Sequence, residues 1–125
     1  MIYIGFLLFF LSGFSEAIMD KLQFHYNNSI FKKFKNQLFW DPQISWKNKY
    51  KNGNPSDGEK FFLSKTLFVG LTDAWHLFKL LRNLFIFSGI YFLMFNYVSN
   101  IFVLLYVLIA RIIFGLSFTL FFKLF

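Results

Sequence analysis

"GLTDAWHLFKLLRNLFIF", residues 70–87, starts as polar surface and ends as hydrocarbon. Asp73 and His76 stand at i, i+3 and share a helix face, with Asn83 continuing it. Lys79 and Arg82 follow, and then no charge occurs from Leu84 to Ala110. Where the polar part stops decides how the rest of the chain is read. Only 13 residues separate Arg82 from Asn96, about 20 Å of helix, so the hydrocarbon segment is expected to begin near Arg82. Lys79 and Arg82 then snorkel to headgroups, and Asp73 and His76 lie at the membrane surface.

Downstream, "NYVSN" at 96–100 carries turn residues between two apolar runs. Splitting there predicts helices over about 67–95 and 100–124, each long enough to span a bilayer with some tilt. The rival is a single span over 84–106, with 70–83 lying on the surface. Upstream, residues 2–22 supply another span, whose only charges before Lys21 are Glu16 and Asp20. "SEA" at 15–17 has the small-x-small form of a cleavage site, but no Lys or Arg precedes it, which favours a retained helix. The expected fold is an all-α membrane protein of about three transmembrane helices in one 125-residue domain.

Composition agrees with that class. Apolar residues make up 57% of the chain, Phe occurs 22 times, and the mean hydropathy is +0.51, more apolar surface than a soluble domain of this size hides. The absence of cysteine excludes disulfides and thiolate zinc sites. Nine of the 13 basic residues are lysines at 21–66, against Asp41, Asp57 and Glu59, so this segment holds +6 of the net +7. Lysine-rich loops stay cytoplasmic, which places the N-terminus outside and Lys123 inside, in a membrane read as the bacterial inner membrane. The segment has no Arg, the usual bidentate reader of phosphate and guanine, and nucleic acid is not the expected partner. The expected partners are the bilayer and its anionic headgroups, with other membrane helices or further copies of the chain.

Within 23–66, "NSIFKKFKNQLF" at 28–39 predicts a short amphipathic helix, with Ile30, Phe31, Phe34, Leu38 and Phe39 on one side. In "WKNKYKNG", Trp46, Asn48, Tyr50 and Asn52 alternate with Lys47, Lys49 and Lys51. An extended segment there puts aromatics on one face and ammonium groups on the other, so Trp46, Lys47, Lys49 and Tyr50 are binding candidates for a lipid surface. The segment reads either as an interfacial anchor or as a lid over a polar site.

Candidate chemistry rests on two helix ends. Ser12, Glu16 and Asp20 form a stripe on the first helix, and antiparallel packing is expected to bring Glu16 and Asp20 to Asp73 and His76. Carboxylates and an imidazole projecting inward from facing helices are how bundles hold divalent metal ions. Glu16, Asp20, Asp73 and His76 are therefore the metal candidates, with His25 as a further imidazole if the helix ends near Asp20–Leu22. Lys79, Arg82 and Arg111 are binding candidates, Arg111 being the most deeply placed charge. The alternative is a charge network in which acids pair with Lys or Arg.

"FWDPQISWKNKY" and "LTDAWHLFK" resemble stretches of small uncharacterised membrane proteins of Bacteroidetes-type bacteria and their phages. The resemblance covers at most residues 15–80. It implies no activity, and joins the loop to the Asp-x-x-His helix as one unit. Three readings follow. The first is a non-enzymatic binding or structural membrane component. The second is a metal-dependent enzyme on a lipid headgroup, with His76 and Asp73 as catalytic candidates and Lys79 and Arg82 on a phosphate. The third is a phage-type holin.

Overall fold

The long helices follow the apolar runs, and their ends follow local hydrogen bonding. The computed structural model describes residues 2–95 and 100–125. Helix α1 covers Ile2–Phe24. Two single turns, α2 (Gln37–Trp40) and α3 (Pro42–Ser45), sit among short 3-10 turns. Helices α4 (Ala74–Phe95) and α5 (Asn100–Leu124) complete the order, and no strand occurs among the described residues. Ile2–Phe24 and Ala74–Met94 are each long and apolar enough to cross a membrane. The turn expected at 96–100 falls mainly outside the described residues.

Contacts divide the chain into two units. One comprises residues 1–17 and 81–124, and the other residues 18–80 with Phe125.

In the helical unit, α1 packs against both other helices. A Cβ on Gly5 would lie 2.8 Å from the Leu93 side chain and 3.2 Å from the Gly89 carbonyl. Glu16, eleven residues further along α1, reaches Arg82, seven residues earlier in α4 than Gly89. The two helices therefore run antiparallel. Against α5 the order is reversed: Phe6 meets Tyr106, Ser117 Oγ donates to the Phe10 carbonyl at 2.6 Å, and Phe14 meets Phe121. Helices α1 and α5 run parallel.

The interior of this unit is made mainly of small residues, with Leu93 beside them. Ser12, Ser15, Ala17, Ala110 and Ser117 are fully or almost fully buried. Ser12 and Ser15 donate back to the Phe9 and Leu11 carbonyls, so no buried hydroxyl is left over among the described residues. At Gly13 a Cβ would lie 2.5 Å from the Phe114 carbonyl oxygen. Only glycine lets the two backbones approach this closely. The large side chains lie outside: Phe87 is 71% exposed, Leu116 66% and Ile112 61%.

The second unit has an aromatic core. Phe31 stacks on Trp40 with centroids 5.1 Å apart, and Phe34, Phe39 and Phe78 pack around the same indole. The C-terminus joins it, because the Ile30 N–H donates to the Phe125 carbonyl at 3.0 Å and the Phe31 and Phe125 rings lie 5.2 Å apart.

The amphipathic helix expected over 28–39 is not continuous. Ser29 is extended and its hydroxyl donates to the Tyr26 carbonyl, which ends one 3-10 turn before the next begins. Phe34 is extended too, and the Gln37 amide donates to the Lys32 and Phe34 carbonyls. Polar side chains here take the backbone groups that a helix needs. Asp41 then caps α3 by accepting from the Gln43 N–H at 2.9 Å, with Pro42 at the first helical position.

Candidate functional site and its polar pairs

Helix α4 starts at Ala74, seven residues later than the sequence pattern places it. Val69–Leu71 form a 3-10 turn instead, and Gly70 is buried against the α4 backbone, where its Cβ would lie 3.3 Å from the Leu77 Cα. The start is set by Asp73, whose Oδ1 accepts from the His76 N–H at 2.9 Å. That is an N-cap bond to the third helical residue. The same carboxylate accepts from His76 Nδ1, at 2.7 Å to Oδ2. A carboxylate only accepts, so Nδ1 carries the proton. Asp73 is 4% exposed, and both of its carboxylate oxygens are engaged by His76. The Asp-x-x-His pattern is thus a capped helix start. The signal for it was in the sequence: Thr72 and Asp73 stand immediately before an apolar periodic run.

Glu16 has a different partner from the one expected. Arg82 Nη1 donates to Glu16 Oε2 at 2.6 Å, with both side chains about a quarter exposed (24% and 26%). Arg82 Nε and Nη2 both donate to the Asn83 Oδ1 at 3.2 Å. A guanidinium in an apolar helix is thereby given a charge partner and a polar brace. Among the described residues no three His, Asp or Glu side chains come together to hold a metal ion. The expected Glu16, Asp20, Asp73 and His76 metal site is therefore not supported: Glu16 pairs with Arg82, and Asp73 with His76. Asp20 lies half-buried on the last turns of α1, and the exposed His25 follows that helix, its N–H donating to the Lys21 carbonyl.

The remaining basic candidates have aromatic partners. Lys79 Nζ lies 4.8 Å from the Trp75 ring centroid, and Trp75 Nε1 donates to the Gln23 side chain. Arg111 does not pair with Glu16. It is exposed, with its guanidinium 5.6 Å from the Phe114 ring, and it lines a cleft of about 370 Å³ with Phe9, Ile86 and Phe114.

The expected split of aromatics and lysines across 46–52 is also corrected. Trp46–Lys49 is a 3-10 turn, so alternate residues do not share a face. Lys47 lies 5.5 Å from the Trp46 ring and Lys49 5.6 Å from the Tyr50 ring, so the ammonium groups sit on the aromatics. Tyr50 pairs with Glu59 in a single antiparallel bridge, closed by an Asn52-Gly53 turn in which both residues have positive φ. Asn48 ties this hairpin to the start of α4: its amide donates to the Thr72 carbonyl at 2.6 Å and its Oδ1 accepts from Lys60 Nζ at 2.6 Å. The sequence reading missed this tie, because nothing local distinguishes Asn48 from the other asparagines of the loop.

One titration is displaced. Burial pushes the Tyr26 hydroxyl above its ordinary range, and the negative charge of Asp41 adds to it. Its O–H donates to Gln37 Oε1. This is a core tyrosine kept neutral, with no acid–base role implied. Compared with known proteins, the chain matches no family model, no curated protein and no solved structure.

Proposed function

We propose that the chain is a three-span integral membrane protein of a bacterial inner membrane, with residues 25–73 on the cytoplasmic face. It acts as a non-enzymatic binding or structural component. The observation that carries this reading is the packing of the helical unit: among the described residues its buried positions are glycine, serine and alanine apart from Leu93, while many Leu, Ile and Phe side chains lie outside. A helical unit in water buries its largest apolar groups, whereas helices in lipid gain nothing from hiding them and associate through small residues.

Three further facts support the third span. Helix α5 has 25 residues, about 37 Å of rise. Its parallel course beside α1 is what an out–in, in–out, out–in path requires. The bond from Ile30 to Phe125 favours a C-terminus on the same side as the lysine-rich segment.

The non-enzymatic assignment rests on what the acids do. Asp41, Glu59 and Asp73 accept backbone N–H groups, and Glu16 pairs with Arg82. These are structural uses: the acids named here cap turns or balance a guanidinium. The Lys-rich face, with Lys47, Lys49, Trp46 and Tyr50, is suited to anionic headgroups. Alkaline carbonate extraction of membranes from an expressing cell tests the reading. The protein is expected in the membrane pellet, and release into the supernatant would contradict it.

A further inference from the structure

Residues 61–71, "FFLSKTLFVGL", expose five large apolar side chains. Phe62 is 79% exposed, Leu67 68% and Leu71 65%, with Phe61 and Phe68 at about two-fifths. The display is built, not loose. Leu63 has φ of +57°, a conformation that a branched side chain rarely adopts. The Glu59 carboxylate holds it there by accepting the Leu63 N–H at 3.2 Å. The Leu63 carbonyl in turn accepts from the N–H groups of Thr66 and Phe68. Ser64, fully buried, donates to the Lys49 carbonyl at 2.7 Å and accepts the Lys60 N–H at 3.2 Å. A strained residue persists only where its surroundings over-determine it. Here the strain fixes a loop that holds two phenylalanines away from its own core.

We propose that this loop is a preformed membrane wedge that inserts Phe61, Phe62, Leu67 and Leu71 into the leaflet which α4 enters. The proposal rests on the reading of α4 as a span. Leu71 precedes Ala74 by three residues, at most about 10 Å of chain, so the loop cannot leave the neighbourhood of the bilayer surface. The first turns of α4 carry Trp75 with Lys79 over its ring, the aromatic and cationic pairing of a headgroup layer. Exposed Lys65 lies within the loop, and Lys60 flanks it, matching anionic headgroups. Insertion is shallow, because backbone groups outside a helix cannot enter lipid unpaired. Side-chain tips reaching about 5–10 Å into the headgroup and acyl boundary fit that limit. The occupant is therefore lipid, and the wedge gives the protein a second, non-helical grip on the leaflet.

The chain has no cysteine, so single spin labels report on single sites. The full chain would be reconstituted in phosphatidylcholine–phosphatidylglycerol vesicles, with Phe62→Cys, Leu67→Cys, Ser56→Cys or Ile90→Cys. Collision with an aqueous nickel relaxant and with oxygen is then measured at each label. Sites 62 and 67 are expected to be several-fold less accessible to nickel than site 56, and several-fold more accessible to oxygen. Nickel access at 62 and 67 equal to that at 56 would overturn the wedge. Shielding of both from nickel and oxygen alike would overturn it in favour of a protein contact. Site 90, on an exposed face of α4, should be shielded from nickel in either case. If site 90 is open to nickel, the span reading itself fails.

Discussion

Gly13 of the helical unit and Gly58 of the second unit serve opposite purposes. In the helical unit Gly13 is there for what it lacks, since any Cβ would strike the Phe114 carbonyl at 2.5 Å. In the second unit Gly58 has nothing within 4 Å of its missing Cβ, and is there for its φ of +80°. The same contrast runs through serine. Ser12, Ser15 and Ser117 make the helix surface thin, whereas Ser29 and Ser64 hold turns together. One unit is stabilised by close backbone approach between regular helices. The other is stabilised by side-chain bonds that replace regular structure. The first suits lipid, where every backbone group must be satisfied within its own helix. The second suits the water side, where irregular backbone is tolerated.

The contrast is sharpest under substitution. Gly13→Leu should be the most damaging single change, costing about 3 kcal/mol or more because the clash is with backbone. Gly58→Ala should cost less, about 2 kcal/mol, from backbone strain alone. Unfolding in mixed micelles measured for both variants checks this. Equal effects would break the distinction between the units.

Next in size is the ion pair. Glu16→Gln strands the Arg82 guanidinium in an apolar unit and should destabilise by about 2 kcal/mol, reduced from a fully buried pair by its partial exposure. The double change Glu16→Leu with Arg82→Leu should recover most of that loss, because lipid-side apolar residues replace both charges. The same micelle titration reports it, and a double variant as unstable as the single one would show a role beyond charge balance.

The smallest effect is expected at the helix start. Asp73→Ala removes an N-cap and should cost about 1 kcal/mol. Hydrogen exchange should rise at the amides of residues 74–77 and stay unchanged across α1 and the rest of α4. Faster exchange throughout α4 would mean that the cap holds more than its own turn.

The helices were legible in the sequence because apolar length is a direct signal. The expected 2–22 and 100–124 lie within two residues of α1 and α5. The start of α4 was misplaced because "LFVGL" continues the apolar run across a helix boundary, and only the cap residues Thr72 and Asp73 mark the break. The stripe of Ser12, Glu16 and Asp20 was read for its acids. Its larger meaning was the small residues beside it, Gly5, Gly13 and Ala17, which set the packing. The partner of Glu16 was not legible, since Arg82 and Lys79 are equally spaced as candidates until helix rotation is known. The loop resisted pattern reading for a plain reason. Its shape depends on bonds such as Asn48 to Thr72, 24 residues apart, and no periodicity encodes them.

The central claim is that α5 is a third span, returning the C-terminus to the side of the lysine-rich segment. Single cysteines at Asn52 and Lys123, placed in an otherwise cysteine-free chain, test it by labelling with a membrane-impermeant maleimide in intact and inverted vesicles. The three-span account predicts that both sites label from the same, cytoplasmic side. Labelling of Asn52 and Lys123 from opposite sides would contradict it and leave two spans.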